Sequence, residues 1–199
     1  AGRDRDELHR WSVERPEEFW VAAWDACGVI GDRGAHAIVR PADADPARAF
    51  AATRYFPDAR LSVVENLLGI GAAAGDPRWP DGGAESLVAV DEAGRREART
   101  WDDLRARVAR LAGALAGLGV REGDRVAGWL PNGIEAVEGM LAAASLGAVW
   151  SSCSPDFGVR GVLDRFGQIA PRVLLAVTDY VYGGKAHDCT ARLAEIEAG

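Results

Sequence analysis

The second half of the sequence predicts an α/β fold, in which a parallel sheet is doubly wound, with helices on both faces. Three short apolar segments, RVAGWL, AVWSSC and RVLLAV, alternate with three segments whose apolar residues recur every three to four positions. The first pattern is typical of buried strands and the second of amphipathic helices. Because the connections are short, right-handed strand–helix–strand crossovers are expected, and these make successive strands parallel.

Residues 1–54 are predicted to form a tryptophan-rich helical appendage that ends in a linker, IVRPADADPARAF. Pro16, followed by two glutamates, is typical of a helix start: proline fits the first turn, and acidic side chains complement the helix's positive end. One face of this helix would then carry Phe19, Trp20, Ala23, Trp24 and Cys27. Residues 55–199 are predicted to belong to the α/β domain.

A hairpin and a long helix are expected at the start of the regular α/β pattern. LVAV and REART flank the turn sequence DEAG, which indicates two antiparallel strands. Thr100 is predicted to cap the helix, with Asp103 three positions later in a weak capping box, and Gly119 is predicted to end it. The inward residues would be Trp101, Leu104, Val108, Leu111, Leu115 and Leu118.

Apolar stripes define the helices that connect and follow the three parallel strands. The first helix, IEAVEGMLAAASLG, would place Ile134, Val137, Met140, Leu141 and Ala144 inward. Ser154 is predicted to cap the second, with Pro155 and Asp156 in its first turn. The stripe of this second helix would consist of Val159, Val162, Leu163, Phe166 and Ile169. A last helix would run through Leu193 and Ile196.

The composition argues against several classes of function. A formal net charge of -7 disfavours nucleic-acid binding, which depends on basic residues that neutralise phosphates. The sequence has no apolar run near the roughly 20 residues that cross a membrane, and its first residues do not resemble a signal peptide. Its three cysteines are widely separated, and its three histidines share no ligand spacing, so no disulfide framework or metal site is expected. These features predict a soluble, cytoplasmic protein.

Ligands of parallel sheets bind beyond the carboxyl ends of the strands, which here correspond to residues 131–133, 151–157 and 178–188. The loop SSCSPDFG could present backbone N–H groups to an anion, although Ser154 could also be only a helix cap. In the loop TDYVYGGKAHD, two glycines permit close backbone approach, and Lys185, the chain's single lysine, could hold a phosphate. The alternative there is a glycine turn with an exposed lysine.

Several motifs resemble acyl-CoA synthetases of the adenylate-forming superfamily. YFPDARLSVVENLL is similar to a segment of the short-chain members, except that Ser62 stands where they usually have asparagine. RTWDDLRARVARLAGALAGLGVREGDRVAGWLPNGIEAVEGMLAAASLGAVWSSCSPDFG resembles the start of their large amino-terminal domain. WSSCSPDFGVRGVLDRFGQIAP and YVYGGKAHD resemble the acetoacetyl-CoA synthetase branch. The resemblance covers about residue 11 to the end and is most specific from Arg99 to Asp188.

This resemblance implies a ligase that uses a carboxylic acid, ATP with Mg²⁺, and coenzyme A, in the cytoplasm and in fatty acid metabolism. The acid attacks the α-phosphate of ATP to form an acyl-adenylate, and the CoA thiol then displaces AMP. The family's phosphate loop, its other ATP motifs and its catalytic lysine are absent from these 199 residues. The chain alone is therefore predicted to be inactive, to contain no catalytic residue, and to act with the remainder of the same polypeptide.

In related synthetases, the matching loops lie near the adenine and 3′-phosphate of CoA. The resemblance therefore implies a CoA-binding role for Ser154, Pro155, Asp156, Gly183, Gly184 and Lys185, with Lys185 as the phosphate contact. Acetyl-CoA synthetases generally carry Phe-Gly-Gly and arginines at these two places, which favours acetoacetate as the acid. Two alternatives stay open: a ligase for acetate or propionate, and a noncatalytic truncated domain that acts as an interaction module.

Overall fold

The computed structural model describes residues 4–41, 49–72, 76 and 78–199, and the chain divides into two compact units, 1–72 and 73–199. Much of the predicted linker, residues 42–48, lies outside the described residues. The predicted end of the appendage at residue 54 falls inside the first unit and stays a prediction about domain organisation.

The first unit is mostly helical, with one short antiparallel strand pair. Its elements are α1 (Arg5–Glu14), α2 (Pro16–Cys27), β1 (Ile38–Val39), α3 (Ala49–Ala52), β2 (Arg54–Tyr55) and α4 (Val63–Leu68), and β1 pairs with β2. Pro16 occupies the first position of α2, as predicted. Asp4 caps α1, because its carboxylate accepts a 2.8 Å hydrogen bond from the Glu7 amide. This first helix was not predicted from the sequence.

Helix α4 is the best-buried element of the first unit. Val64 and Leu68 are each only 1% exposed. The side-chain amide of Asn66 bonds both the amide and the carbonyl of Ile30, each at 2.8 Å, so it fixes the chain that follows α2. Ser62, the departure from the family pattern, caps α4 by accepting a 3.3 Å bond from the Glu65 amide. This substitution is therefore compatible with a normal helix start.

The second unit contains two antiparallel hairpins, a three-stranded sheet and four helices among its described residues. Its strands are β3 (Glu85–Val90), β4 (Arg96–Thr100), β5 (Arg125–Trp129), β6 (Val149–Cys153), β7 (Val173–Ala176), β8 (Asp179–Tyr182) and β9 (Lys185–Asp188). Its helices are α5 (Trp101–Gly117), α6 (Ile134–Ser145), α7 (Val159–Phe166) and α8 (Thr190–Ala198). The predicted β3–β4 hairpin and all three predicted parallel strands are present.

The α/β prediction is confirmed by the order of the sheet, β6-β5-β7, in which both pairs are parallel. Alternate residues of the central strand β5 face opposite sides, as strand geometry requires. Ala127 and Trp129 belong to a core cluster with residues of α7 and α8. A Cβ at Gly128, by contrast, would meet the Trp150 ring, and so would one at Gly139 of α6. Helices therefore cover both faces of the sheet.

The cap of α5 and most of the buried helix faces in the structure are those that the sequence predicts. The hydroxyl of Thr100 accepts from the Asp103 amide at 3.1 Å, so the predicted cap of α5 is confirmed. Two predicted inward residues are wrong: Leu118 is 63% exposed and Met140 is 37% exposed. Leu118 lies beyond the last turn of α5. On α6 the buried face includes Glu138 and leaves Met140 outside it. The Glu138 carboxylate lies 3.2 Å from the guanidinium of Arg99.

Candidate functional site

A cleft of about 880 Å³ lies beyond the carboxyl ends of the parallel strands, where the predicted loops meet. Residues 131–133 follow β5, residues 154–157 follow β6, and the β8–β9 hairpin follows β7. The tip of the β3–β4 hairpin forms the opposite side of the cleft. Of the six predicted binding residues, Ser154 and Asp156 line the cleft. Gly184 lines a smaller adjoining cavity of about 330 Å³.

The segment after β6 forms a tight turn and does not start a helix. The Ser154 hydroxyl accepts from the Asp156 amide at 3.3 Å, and the Ser154 carbonyl accepts from the Phe157 amide at 3.1 Å. Serine followed by proline is typical of the first two positions of a type I turn. The predicted helix cap at Ser154 is therefore wrong, because α7 begins four to five residues later, with Gly158 at its cap position.

This turn also changes the expectation of an anion site made by free backbone amides. The amides of Asp156 and Phe157 are already bonded inside the turn, so they are not directed at a ligand. The Pro155 side chain is fully buried. The turn therefore presents mainly the Ser154 hydroxyl and the Asp156 carboxylate to the cleft, which gives it an acidic surface.

The predicted loop at residues 178–188 is a β-hairpin. Gly183 and Gly184 form its two-residue turn with φ of 59° and 69°, the left-handed region that a type I′ hairpin turn requires and glycine readily adopts. Tyr182 pairs with Lys185, and Tyr180 pairs with His187. Because alternate residues of a strand share a face, Lys185 lies on the same face of the hairpin as Tyr180 and His187. The rings of these last two stack at 5.0 Å.

Tyr180 joins the hairpin to the turn after β6. Its hydroxyl donates a 2.7 Å hydrogen bond to Oδ1 of Asp156, while the Ser154 hydroxyl donates to Oδ2 at 2.9 Å. The bond from Tyr180, and to a smaller extent the bond from Ser154, holds the pKa of the Asp156 carboxyl below its ordinary value. The same carboxylate raises the pKa of Tyr180. Both predicted loops are thus brought together, through a tyrosine that the sequence analysis did not single out.

Acidic groups outnumber basic ones around the cleft. Its charged lining consists of Asp91, Glu92, Arg95, Arg96, Glu97, Glu135, Asp156 and Asp179. Both arginines are engaged, since Arg95 bonds Asp91 at 2.9 Å and Arg96 bonds Glu85 at 2.8 Å. Lys185 is exposed and forms no salt bridge within the part of the chain that the structure describes. Lys185 itself lines neither cavity, but its cross-strand partner Tyr182 lines the acidic cleft, so its ammonium is an available cation on that hairpin.

Glu92 contacts the glycine turn. Its Oε2 accepts a 3.3 Å bond from the amide of Gly184, the residue next to Lys185. This bond links the tip of the β8–β9 hairpin to the β3–β4 turn. One of the two predicted glycines therefore has its amide directed at a protein carboxylate.

The described residues offer neither a metal-ligand cluster nor a membrane-spanning helix. Between residues 4 and 199, leaving out the undescribed gaps, the histidine, cysteine and acidic side chains form no group of three suited to a metal ion. Across the described helices, none combines the length and the apolar character that a membrane crossing requires.

Residues 78–198, most of the chain, match the family described as AMP-binding enzyme. The chain belongs to this family. The match covers both hairpins, the parallel sheet and the cleft, so the residues described above lie within the AMP-binding enzyme region.

Relatives in this family resemble the chain over nearly its whole length. The chain is 44% identical over 193 residues to acetoacetyl-coenzyme A synthetase of Rhizobium meliloti (strain 1021), which covers 97% of this chain and 27% of the relative. It is 40% identical over 196 residues to acetoacetyl-CoA synthetase of Macaca fascicularis. This match covers 98% of this chain and 27% of the relative. It is 39% identical over 197 residues to malonamoyl-CoA synthetase of Penicillium aethiopicum. This match covers 98% of this chain and 26% of the relative.

A solved structure shows the same fold. Acetoacetyl-CoA synthetase from Streptomyces lividans matches with a TM-score of 0.81 and 41% identity, over 100% of this chain and 29% of that chain. The present chain thus spans about a quarter of the length of the curated relatives it matches. The α/β fold assigned from the sequence is therefore the fold of an AMP-binding enzyme, seen over part of its length.

Proposed function

We propose that this chain is the amino-terminal part of an ATP-dependent acid–CoA ligase, and that its acid is acetoacetate. The whole protein would convert acetoacetate, ATP and CoA to acetoacetyl-CoA, AMP and pyrophosphate. The observation that carries this proposal is 40–44% identity to acetoacetyl-CoA synthetases across 97–98% of the chain. Membership of the AMP-binding enzyme family supports the use of ATP.

The malonamoyl-CoA synthetase supports a second candidate acid, because its 39% identity is close to that of the acetoacetyl-CoA synthetases. Acetoacetate and malonamate are both short acids with a carbonyl group at the β position. A ligase for such β-carbonyl acids is therefore the second proposal, ahead of one for acetate or propionate. Comparing kcat/KM for the four acids distinguishes these proposals, since the correct acid gives the highest value.

Within this ligase, we infer that the chain contributes part of the wall of the CoA nucleotide site. The Ser154–Asp156 turn would form one side, and the glycines at 183 and 184 would let the nucleotide approach the backbone closely. Lys185 would contact a phosphate. The hydrogen bond between Tyr180 and Asp156 supports this arrangement, because it holds the two segments together. The lack of an ion pair at Lys185 among the described residues supports it as well, since a free ammonium can bind an anion.

The chain would not supply the catalytic groups. We propose that Mg²⁺ enters with ATP and is held elsewhere in the whole protein, because the described residues offer no cluster of metal ligands. Neutralisation of phosphate charge would be the main catalytic contribution to adenylate formation. We also propose a role in fatty acid metabolism and a cytoplasmic location; the three free cysteines support the cytoplasmic location, because disulfides are rare there.

The test uses the full-length protein and separates the two half-reactions. Acetoacetate-dependent exchange of labelled pyrophosphate into ATP reports adenylate formation, and CoA-dependent AMP release reports thioester formation. Lys185→Ala should raise KM for CoA roughly tenfold, as expected for the loss of one charge-assisted contact. Exchange should be unchanged, and Lys185→Arg should stay near wild type. A Lys185→Ala protein with an unchanged KM for CoA would remove Lys185 from the site. Full-length protein with no acid-dependent exchange would favour the interaction module.

A further inference from the structure

Arg192, on α8, contacts the turn after β6, the end of β5 and the cap residue of its own helix at the carboxyl edge of the parallel sheet. Its Nη1 donates a 2.9 Å hydrogen bond to the carbonyl of Pro155, in the turn after β6. Its Nη2 lies 3.2 Å from Sγ of Cys189, at the end of the hairpin. Its guanidinium carbon lies 5.4 Å from the ring centre of Trp129, the last residue of β5. One half-buried side chain thus touches the turn after β6 and the end of β5, two of the segments that lead to the cleft.

Each of these contacts lies where water has little access. The Pro155 side chain is fully buried, and Trp129 and Cys189 are each 0% exposed. A backbone carbonyl in such surroundings needs a donor, because leaving it unpaired is costly. A guanidinium supplies that donor as a charge-assisted bond, while its flat face packs on the indole ring. Arg192 therefore supplies a donor to the Pro155 carbonyl and packs on Trp129 of the core at the same time.

We propose that Arg192 is a positioning residue, which fixes the Ser154–Asp156 turn in the conformation that receives CoA; this inference rests on the proposed ligase function. The turn is held from two sides. Arg192 holds its main chain at Pro155, and Tyr180 holds its side chain at Asp156. Arg192 is half-buried and its hydrogen bond reaches the main chain of the turn, so it acts through the turn.

Positioning predicts a specific kinetic effect. Without Arg192, the carbonyl of Pro155 loses its donor and the turn can shift, so the CoA wall is no longer preformed. Small displacements of this kind can change rates or affinities by one to two orders of magnitude. Adenylate formation needs no CoA, so it should be nearly unaffected. A general loss of structure would instead reduce both half-reactions together.

The experiment compares Arg192→Ala, Arg192→Lys and Arg110→Ala with wild type in the full-length protein. Arg110 is an exposed arginine of α5 and serves as the matched control. Arg192→Ala should raise KM for CoA roughly tenfold and change acid-dependent pyrophosphate exchange by less than about twofold. Arg192→Lys should fall in between, because an ammonium can reach the Pro155 carbonyl but cannot stack on Trp129 as a planar guanidinium does. Arg110→Ala should match wild type.

Two results would overturn the inference while leaving the ligase in place: an unchanged KM for CoA in Arg192→Ala, or an equal fall of both half-reactions. If the alanine protein is insoluble, Arg192→Lys decides alone, and a wild-type KM for CoA in that variant overturns the inference. A wild-type protein without acid-dependent exchange would instead overturn the ligase proposal, and the inference with it.

Discussion

The Tyr180 hydroxyl donates a 2.7 Å hydrogen bond to Oδ1 of Asp156 and thereby connects the β8–β9 hairpin to the turn after β6. The two residues are 24 positions apart in the sequence. The other carboxylate oxygen accepts from Ser154, so both oxygens of Asp156 have donors. These bonds favour the carboxylate form of Asp156 over the protonated form, so protonation of Asp156 weakens the connection between the two segments.

A dependence of stability on pH follows from Asp156. Hydrogen bonds lower the pKa of Asp156 in the folded protein from the ordinary value of 3.8, and the bond from Tyr180 has the largest effect. Its ionised form therefore stabilises the fold above the unfolded pKa, and this contribution disappears as pH falls through the still lower folded pKa. We expect the stability difference between wild type and Asp156→Asn to be constant above about pH 5 and to shrink below about pH 4.

Urea unfolding of wild type and Asp156→Asn between about pH 3 and pH 7 measures this difference. Asp164→Asn, an exposed substitution on α7, is the control. A gap between wild type and Asp156→Asn that does not change with pH would contradict the assigned role of these hydrogen bonds.

Glu92 should weaken CoA binding at the proposed site. Its carboxylate accepts from the Gly184 amide at 3.3 Å, next to the proposed phosphate contact at Lys185. A negative charge there repels an anionic ligand, and at an exposed position the effect is small and screened by salt. Glu92→Gln should therefore lower KM for CoA about two- to threefold at low salt, with less effect at high salt. Glu122→Gln, before the amino end of β5, should leave KM unchanged; an increased KM in Glu92→Gln would contradict this electrostatic account.

Two helical glycines should respond oppositely to alanine. A Cβ at Gly139 of α6 would lie 2.9 Å from Cη2 of Trp150 and 3.0 Å from Cδ1 of Leu175, whereas one at Gly113 of α5 would have nothing within 4 Å. Gly139→Ala should lower the free energy of unfolding by about 1–2 kcal/mol through overpacking. Gly113→Ala should raise it by about 0.5–1 kcal/mol through helix propensity. Chemical denaturation followed by circular dichroism measures both; a stabilised Gly139→Ala protein would show that Trp150 moves freely.

Leu115 and Leu118 allow a matched test of burial on α5. Leu115 is 1% exposed, and Leu118, three residues later, is 63% exposed. Leu115→Ala should cost about 3 kcal/mol of unfolding free energy, because it removes buried methyl groups and leaves a cavity. Leu118→Ala should change stability by less than about 0.5 kcal/mol. Similar losses in the two variants, measured by the same denaturation, would mean that Leu118 is covered by another surface in solution.

The regular elements of the second unit could be predicted because their signals are local. Apolar periodicity gave β5, α6, β6, α7 and β7 in the correct order, and the parallel sheet followed from their alternation. Thr100 and Asp103 marked the start of α5 correctly, since a capping bond depends on residues three positions apart.

Other features depended on partners that are distant in the sequence. Glu138 can be buried on α6 because Arg99, 39 positions earlier, bonds it, whereas Met140 on the same helix is 37% exposed. The sequence predicts Ser154 as a helix cap, whereas in the structure its hydroxyl closes a turn with Asp156. In contrast, helix α1 had a usable local signal, an aspartate at position 4 followed three residues later by a glutamate.

The candidate site was predicted at the level of its segments but not of its contacts. The rule that ligands bind beyond the carboxyl ends of parallel strands led to the edge of the sheet at which the cleft lies. Tyr180 and Arg192 were missed, because their importance arises from hydrogen bonds to Asp156 and Pro155 across the fold. The CoA-binding role of these segments stays a proposal.

The two-residue turn of the β8–β9 hairpin makes segment length as important as residue identity. Residues 183 and 184 separate two strands in which Tyr182 is paired with Lys185. Inserting or deleting one residue after Tyr182 would transfer the lysine to the opposite face of the ribbon, without altering any side chain. A homologue could therefore keep Tyr180, Tyr182, Lys185 and His187 and still lose its cation from the site through the insertion or deletion of a single codon in the turn.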